Sequence, residues 1–388
     1  MDQLDRAQPL SLRDVLCSST TGRIRALKLC DLLLGSVLTR CLNPAPTGPA
    51  LETEAIRRIL VIRTGGIGDA VLALPLMQEL ARRFPHASLE VLAEERNAGI
   101  FSSLEGLIAR CLRYDQAPWR LMQTLRDARY DLVIDSEQWH YATGLLAHAS
   151  GAPFRIGFDS NALRARCYTA VTPYAIDHYE GDNFLRLLAP LGGKRTAMDW
   201  TRPWLSVPIA DRDWVSRLRM PRRIVAIAVR GGVLERSWPM FRLRGLLSRL
   251  LTRDVAVCLL GSSSDRVLAR SLLNGLPQEG IVDLTGRTSL LQAAAVLERS
   301  LALISPDCGL MHLGVSVGTP VVALFGASLQ PKWAPQGPRH RVLNRRLPCS
   351  PCTRWSCTPH CPIQVRCLQE IDEMEVLHAM MSLLESSP

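Results

Sequence analysis

Apolar positions fall along this chain in short dense runs separated by longer amphipathic stretches. The first dense run, RILVIR at 58–63, predicts a buried strand. A glycine-rich turn follows at 64–68, and 69–84 has the spacing of a helix. Runs at 88–93, 132–135 and 154–158 predict further strands with helical stretches between them. A polar, proline-bearing segment at 192–222 then marks a boundary. Beyond it the pattern restarts more cleanly. Strands are predicted at 224–229, 255–260, 281–284, 302–305 and 321–325, and helices at 240–251, 264–273, 290–299 and 309–317. Such alternation implies parallel sheets covered on both faces. A last helix is predicted at 374–384.

The first 58 residues have another texture. Ile24, Leu27, Cys30, Leu34, Val37 and Leu38 recur at helical spacing, with Arg23, Arg25, Lys28 and Arg40 beside them. This helix either lies on an anionic lipid surface or packs its stripe against the protein's own surface or a second subunit. The segment NPAPTGP at 43–49 ends it as a linker.

Length and composition narrow the class. At 388 residues the chain suits two α/β domains, and 47% hydrophobic with 21% charged residues is a globular mix. Aromatics make up only 5%, which argues against stacking platforms for single-stranded nucleic acid. The net charge of +10 favours anionic partners, but the basic residues are scattered among acids. A small anionic substrate or a lipid is therefore expected before nucleic acid. No signal-like N-terminus and no membrane-spanning apolar run is visible, so a cytoplasmic, mostly reduced protein is expected. A peripheral contact with the inner face of the plasma membrane stays open beside it. Of twelve cysteines, five crowd together as Cys349, Cys352, Cys357, Cys361 and Cys367. Paired thiols this close suit a structural metal, free thiols or a compact disulfide pairing, and their spacing fits no standard zinc pattern.

Four segments could carry chemistry. Thr64, Gly65, Gly66 and Gly68 form a loop at the carboxyl end of the first strand, where open α/β sheets place their sites. The order GGxGD fails the GxGxxG dinucleotide fingerprint. Asp69 is either a helix cap or an acid placed to take a proton from a hydroxyl. The second segment is SPDCGLMH at 305–312: Asp307 could accept sugar hydroxyls, and the amides from Gly309 to Met311 could bind a diphosphate. The alternative is a capped helix with His312 packed in the core. Third, Arg236 in ERSWP could neutralise a phosphate leaving group or be a plain surface residue. Fourth, Asp265 after GSSS is equally a ribose ligand or an N-cap. The DxD-like Asp211-Arg212-Asp213 has no strand before it and is discounted.

Taken together and in order, these blocks resemble glycosyltransferase family 9, the ADP-heptose:lipopolysaccharide heptosyltransferases. RILVIRTGGIGDAVLALPLMQEL resembles the family's opening strand, loop and helix, and ISPDCGLMHLGVSVGTPVVALFG its C-terminal block. RSWP stands where the family has Lys-x-Trp-Pro, and the tail beginning CSPC also recurs. The resemblance spans about 58–371. It implies a GT-B fold: two Rossmann-like parallel-sheet domains facing a cleft, here with an N-terminal helical lead-in.

The implied domains are a lead-in and linker at 1–58, an acceptor domain at 59–205, and a nucleotide-sugar domain at 206–365. A helix at 366–388 is expected to pack back on the N-terminal domain. Asp69 matches the family's presumed base and Asp307 its donor-sugar acid. Gly309, Leu310, Met311 and His312 line the diphosphate, and Asp265 falls at the ribose. Arg236 replaces the usual Lys, and Cys308 the usual Thr or Ser. The implied activity is inverting, metal-independent transfer of heptose from ADP-heptose to a lipopolysaccharide-core acceptor, without cofactor. The alternatives are an epimerase or hydrolase of the same fold, or a non-catalytic binding scaffold.

Overall fold

The computed structural model describes residues 10–19, 22–44, 53–115, 118–192, 197–218 and 220–385. Linker residues 45–49 and the chain's first nine residues lie outside them. The chain divides into two units, Met1–Asp199 with Arg354–Cys357, and Trp200–Thr353 with Thr358–Pro388.

In the first unit, strands β1 (Arg58–Ile62), β2 (Ser88–Ala93), β3 (Ile108–Arg113), β4 (Leu132–Asp135), β5 (Phe154–Phe158) and β6 (Ala170–Thr172) form one sheet. Their order is β3-β2-β1-β4-β5-β6, and every pairing is parallel. The central strands are buried on both faces, which explains their unbroken apolar runs. β3 is half exposed and β6 has only three residues, so neither carries a clear period. Neither was predicted. The helix Ile67–Arg83 buries every residue from Ala70 to Leu74, then Leu76, Met77 and Leu80, so that first stretch is enclosed on all sides and only the helix's second half is amphipathic.

The second unit repeats the plan. Strands β7 (Ile224–Ala228), β8 (Ala256–Leu260), β9 (Ile281–Asp283), β10 (Ala302–Pro306), β11 (Val321–Phe325) and β12 (His340–Asn344) run in the order β12-β11-β10-β7-β8-β9, again all parallel. Read from β9, this is the same 3-2-1-4-5-6 order as the first sheet. Both units are therefore Rossmann-like, as the sequence implied.

Three expectations are corrected. The terminal helix Glu373–Glu385 belongs to the second unit. It buries Val376, Leu377, Met380 and Leu383 in the second unit's own core, beside Leu243, Leu246 and Leu250. Ion pairs from Arg242 to Asp372 and Glu373 fix its start. Its apolar stripe needs a nearby face, and the sheet it follows in the chain provides one. The lead-in is not a separate body: it belongs to the first unit. It is also not one regular helix, because a π-turn at Asp31–Gly35 separates Gly22–Cys30 from Ser36–Cys41.

Candidate functional site

In each sheet the strand order reverses beside the first strand, and loops leaving the two neighbouring strands diverge there. In the first unit this point lies between the carboxyl ends of β1 and β4. β1 delivers Arg63, Thr64 and the glycine loop, and β4 delivers Asp135 to Gln138.

Asp69 is not the N-cap residue of its helix. Gly66 holds that position with no side-chain cap, and Asp69 sits three residues in, on the first turn. Gln138 Nε2 donates to Asp69 Oδ1 at 3.3 Å and also to Glu180. Glu180 in turn accepts from the Tyr174 hydroxyl at 2.8 Å and from Asn183. Asp69 thus belongs to a polar network with Gln138 and Glu180.

Beneath the loop lies a buried ion pair between Arg63 and Glu137. Glu137 also accepts from the Thr64 amide at 2.8 Å and the Thr64 hydroxyl at 3.1 Å, tying the loop to β4. Burial alone would lower the Arg63 pKa, but Glu137 and then Asp69 outweigh it and raise it. Glu137 is driven upward by burial and is nonetheless held below the usual carboxylate range, chiefly by Arg63. A Cβ on Gly65 would press on the Arg63 guanidinium and lie 3.1 Å from Glu137 Oε1, so this position has no room for a side chain. Asn97 Nδ2 holds the loop from the other side, bonding the Gly65 carbonyl at 2.7 Å.

A second buried pair shapes the β4 turn. Asp135 accepts from Arg164 at 2.7 Å and Tyr168 at 2.6 Å, and its other oxygen takes the Glu137 amide at 3.0 Å. Glu137, Gln138 and Glu180 were not singled out from the sequence. Their signal, polar residues straight after a buried strand in EQ at 137–138, is common to many loops.

In the second unit the equivalent point lies between β7 and β10, and three predicted residues meet there. Asp307 is buried and accepts from Ser328 Oγ. Arg236 Nη1 stands 3.5 Å from its Oδ2, and His312 Nε2 is 3.8 Å from Oδ1. Burial pushes the His312 pKa down; Asp307 opposes this and Arg236 adds to it. Helix Gly309–Ser316 starts with no side-chain cap hydrogen bond, and the Cys308 thiol lies 3.3 Å from Ser305 Oγ. Burial pushes that thiol above its ordinary range. Cys308, Gly309 and Leu310 are partly exposed, whereas the Met311 and His312 side chains are buried.

Asp265 closes a capping box with Ser262. One oxygen accepts from the Ser262 amide and hydroxyl at 2.7 and 2.6 Å, and the other pairs with Arg230. Asp211 and Asp213 lie on helix Ile209–Arg217, where Arg212 pairs with Glu298 at 2.7 Å. The cysteine group is divided. Cys357 is buried in the first unit, within 3.4 Å of Lys28 Nζ, while the other four belong to the second. Among the described residues no group of three or more His, Cys, Asp or Glu side chains is placed to hold a metal ion.

A family profile described as glycosyltransferase family 9 (heptosyltransferase) matches residues 118–361, more than half of the chain. This chain belongs to that family. The matched span of the glycosyltransferase includes β4 and the Asp307 segment and begins after the glycine loop. Among curated relatives, lipopolysaccharide heptosyltransferase 1 of Pseudomonas aeruginosa is 27% identical over 322 residues, covering 78% of this chain and 87% of that protein. Lipopolysaccharide heptosyltransferase 2 of Escherichia coli K12 is 26% identical, covering 74% and 87%. Among solved structures, a family 9 glycosyltransferase from Veillonella parvula superposes with a TM-score of 0.71 at 20% identity, covering 87% of this chain and 99% of that one. At that identity the likeness concerns the fold.

Proposed function

We propose that this glycosyltransferase moves a heptose from ADP-heptose to a lipopolysaccharide-core acceptor by inverting, metal-independent displacement. The observation that carries the mechanism is Asp69: a first-turn carboxylate that shares Gln138 with Glu180 at the strand-order reversal. In this reading Asp69 takes the proton of an acceptor hydroxyl as its oxygen bonds to the anomeric carbon from the face opposite ADP. The bond to the diphosphate oxygen breaks in the same step, and the electron pair leaves with ADP. Arg236 and the uncapped amides of helix Gly309–Ser316 stabilise the charge that builds there, so no divalent ion is required. Asp307, held by Ser328, receives hydroxyls of the donor sugar. The names of the relatives and the positive net charge support the choice of donor and acceptor.

The test is a thermal-shift screen against ADP-, UDP-, GDP- and CMP-sugars, followed by transfer assays with excess EDTA. A selective response to the ADP-sugar and full activity with the chelator are expected. A preference for another nucleotide, or strict dependence on magnesium, contradicts the proposal. ADP released at the same rate without acceptor would favour the hydrolase alternative instead.

For Arg236→Ala, ADP binding measured by calorimetry is expected to weaken about 10- to 100-fold, the loss of one charge-assisted contact. Unchanged affinity removes Arg236 from the diphosphate site.

A further inference from the structure

The lead-in helix leaves an apolar stripe on its outer face. In an ordinary surface helix the apolar stripe faces the core. Here Ile24, Leu27, Leu33, Leu34, Val37 and Leu38 are the exposed ones, at 51–64%. Small and polar residues turn inward, with Leu29 and Leu32 packed beside them against the Trp139 and Trp355 cluster. Lys28 is buried, donating to the Ser356 carbonyl at 3.1 Å, and Thr39 Oγ1 bonds the Gly35 carbonyl at 2.7 Å. Gly35 lies against Tyr141, where a Cβ would come within 2.6 Å of its Cβ. Asp31 accepts the amides of Tyr141 and Ala142 at 3.1 and 2.7 Å. These anchors set the helix's rotation, so the outward stripe is a built feature and not a frayed end. Leu12 and Leu16, on the short helix Leu12–Leu16, are exposed as well.

Charge narrows what can cover this face. The described residues from 10 to 44 hold two acids, Asp14 and Asp31. Asp14 closes a capping box with Ser11 and stands 3.7 Å from Arg354, and Asp31 is held by the two amides. Arg13 and Arg40 are exposed at the rim. A second copy meeting this face about a twofold axis would set cation near cation. An anionic surface meets both the leucines and the arginines favourably. No described helix is long and apolar enough to cross a membrane.

We propose that this stripe seats the protein on the headgroup and upper acyl region of an anionic lipid bilayer. The proposal deepens the glycolipid-acceptor reading above, since an enzyme for such an acceptor gains from being held at the surface that carries it. The test is co-sedimentation of the full chain with phosphatidylglycerol–phosphatidylcholine vesicles at low salt, with neither donor nor acceptor present. Binding is expected to the mixed vesicles, to weaken as salt rises, and to be weak on phosphatidylcholine alone. The triple variant Leu27→Ser, Leu34→Ser, Leu38→Ser should lose about tenfold or more in partitioning. The pair Arg13→Ala, Arg40→Ala should lose about fivefold or more. All these side chains are exposed, and circular dichroism with thermal melts verifies that folding is kept. Unchanged vesicle binding by the triple variant overturns the proposal. So does wild-type protein that ignores the vesicles, or that forms dimers the triple variant cannot form. Failure of the donor screen overturns the transfer reading alone, because vesicle binding is read without it.

Discussion

Replacing Asp69 by Ala is expected to cut turnover by ~10²–10⁴-fold while leaving ADP affinity nearly unchanged. The split follows from position. Asp69 stands in the first unit, at the end of β1, and the groups assigned to the diphosphate stand in the second. Asp69→Asn is the sharper variant. It keeps the size of the side chain and an acceptor for Gln138, which donates to Asp69 Oδ1 at 3.3 Å, but it cannot take a proton at neutral pH. If both variants lose turnover alike and keep their melting behaviour, the loss belongs to chemistry and not to packing. Wild-type turnover in Asp69→Ala would remove the proposed base.

The second large effect is on stability. Glu137→Ala leaves the Arg63 guanidinium buried without its anion, and breaking such a pair costs about 3–5 kcal/mol. Chemical denaturation should show that loss in the first unit. Turnover should fall with it, because Glu137 also holds Thr64 and thereby the glycine loop. The pH dependence has a definite sign. Glu137 is held below its ordinary pKa of 4.5 in the folded chain. Between those two values the unfolded chain binds the extra proton, so stability rises with pH across that interval. The contribution is therefore complete above about 4.5 and is lost as the pH falls through the folded value. Acid-unfolding curves of the variant should be correspondingly flatter below the carboxylate range. Equal denaturation midpoints for the two proteins would show that the pair stabilises nothing.

Much of this protein is written locally. Eight of its strands lie in the sheet interiors with every residue of the run buried or nearly so, and a run such as RILVI suits such a place. Residues directly after a buried strand and before a helix are candidates on topology alone, which is why Asp69, Arg236 and Asp307 could be named in advance. What the linear order could not supply was neighbours. Glu137 and Gln138 follow β4, some seventy residues from the loop they hold, and they reach it only because β4 pairs with β1. The local geometry of the acids was equally hidden: Asp265 turns back to Ser262, while Asp69 shares Gln138 with Glu180 across the sheet. Likewise the five clustered cysteines could not be divided on paper, since Cys357 follows a chain excursion toward Lys28. The lead-in shows the limit most plainly. Its period predicts a helix with an apolar stripe, but which way that stripe faces depends on Lys28, Asp31 and Gly35 finding partners far along the chain. Periodicity is a property of a segment; burial is a property of everything packed around it.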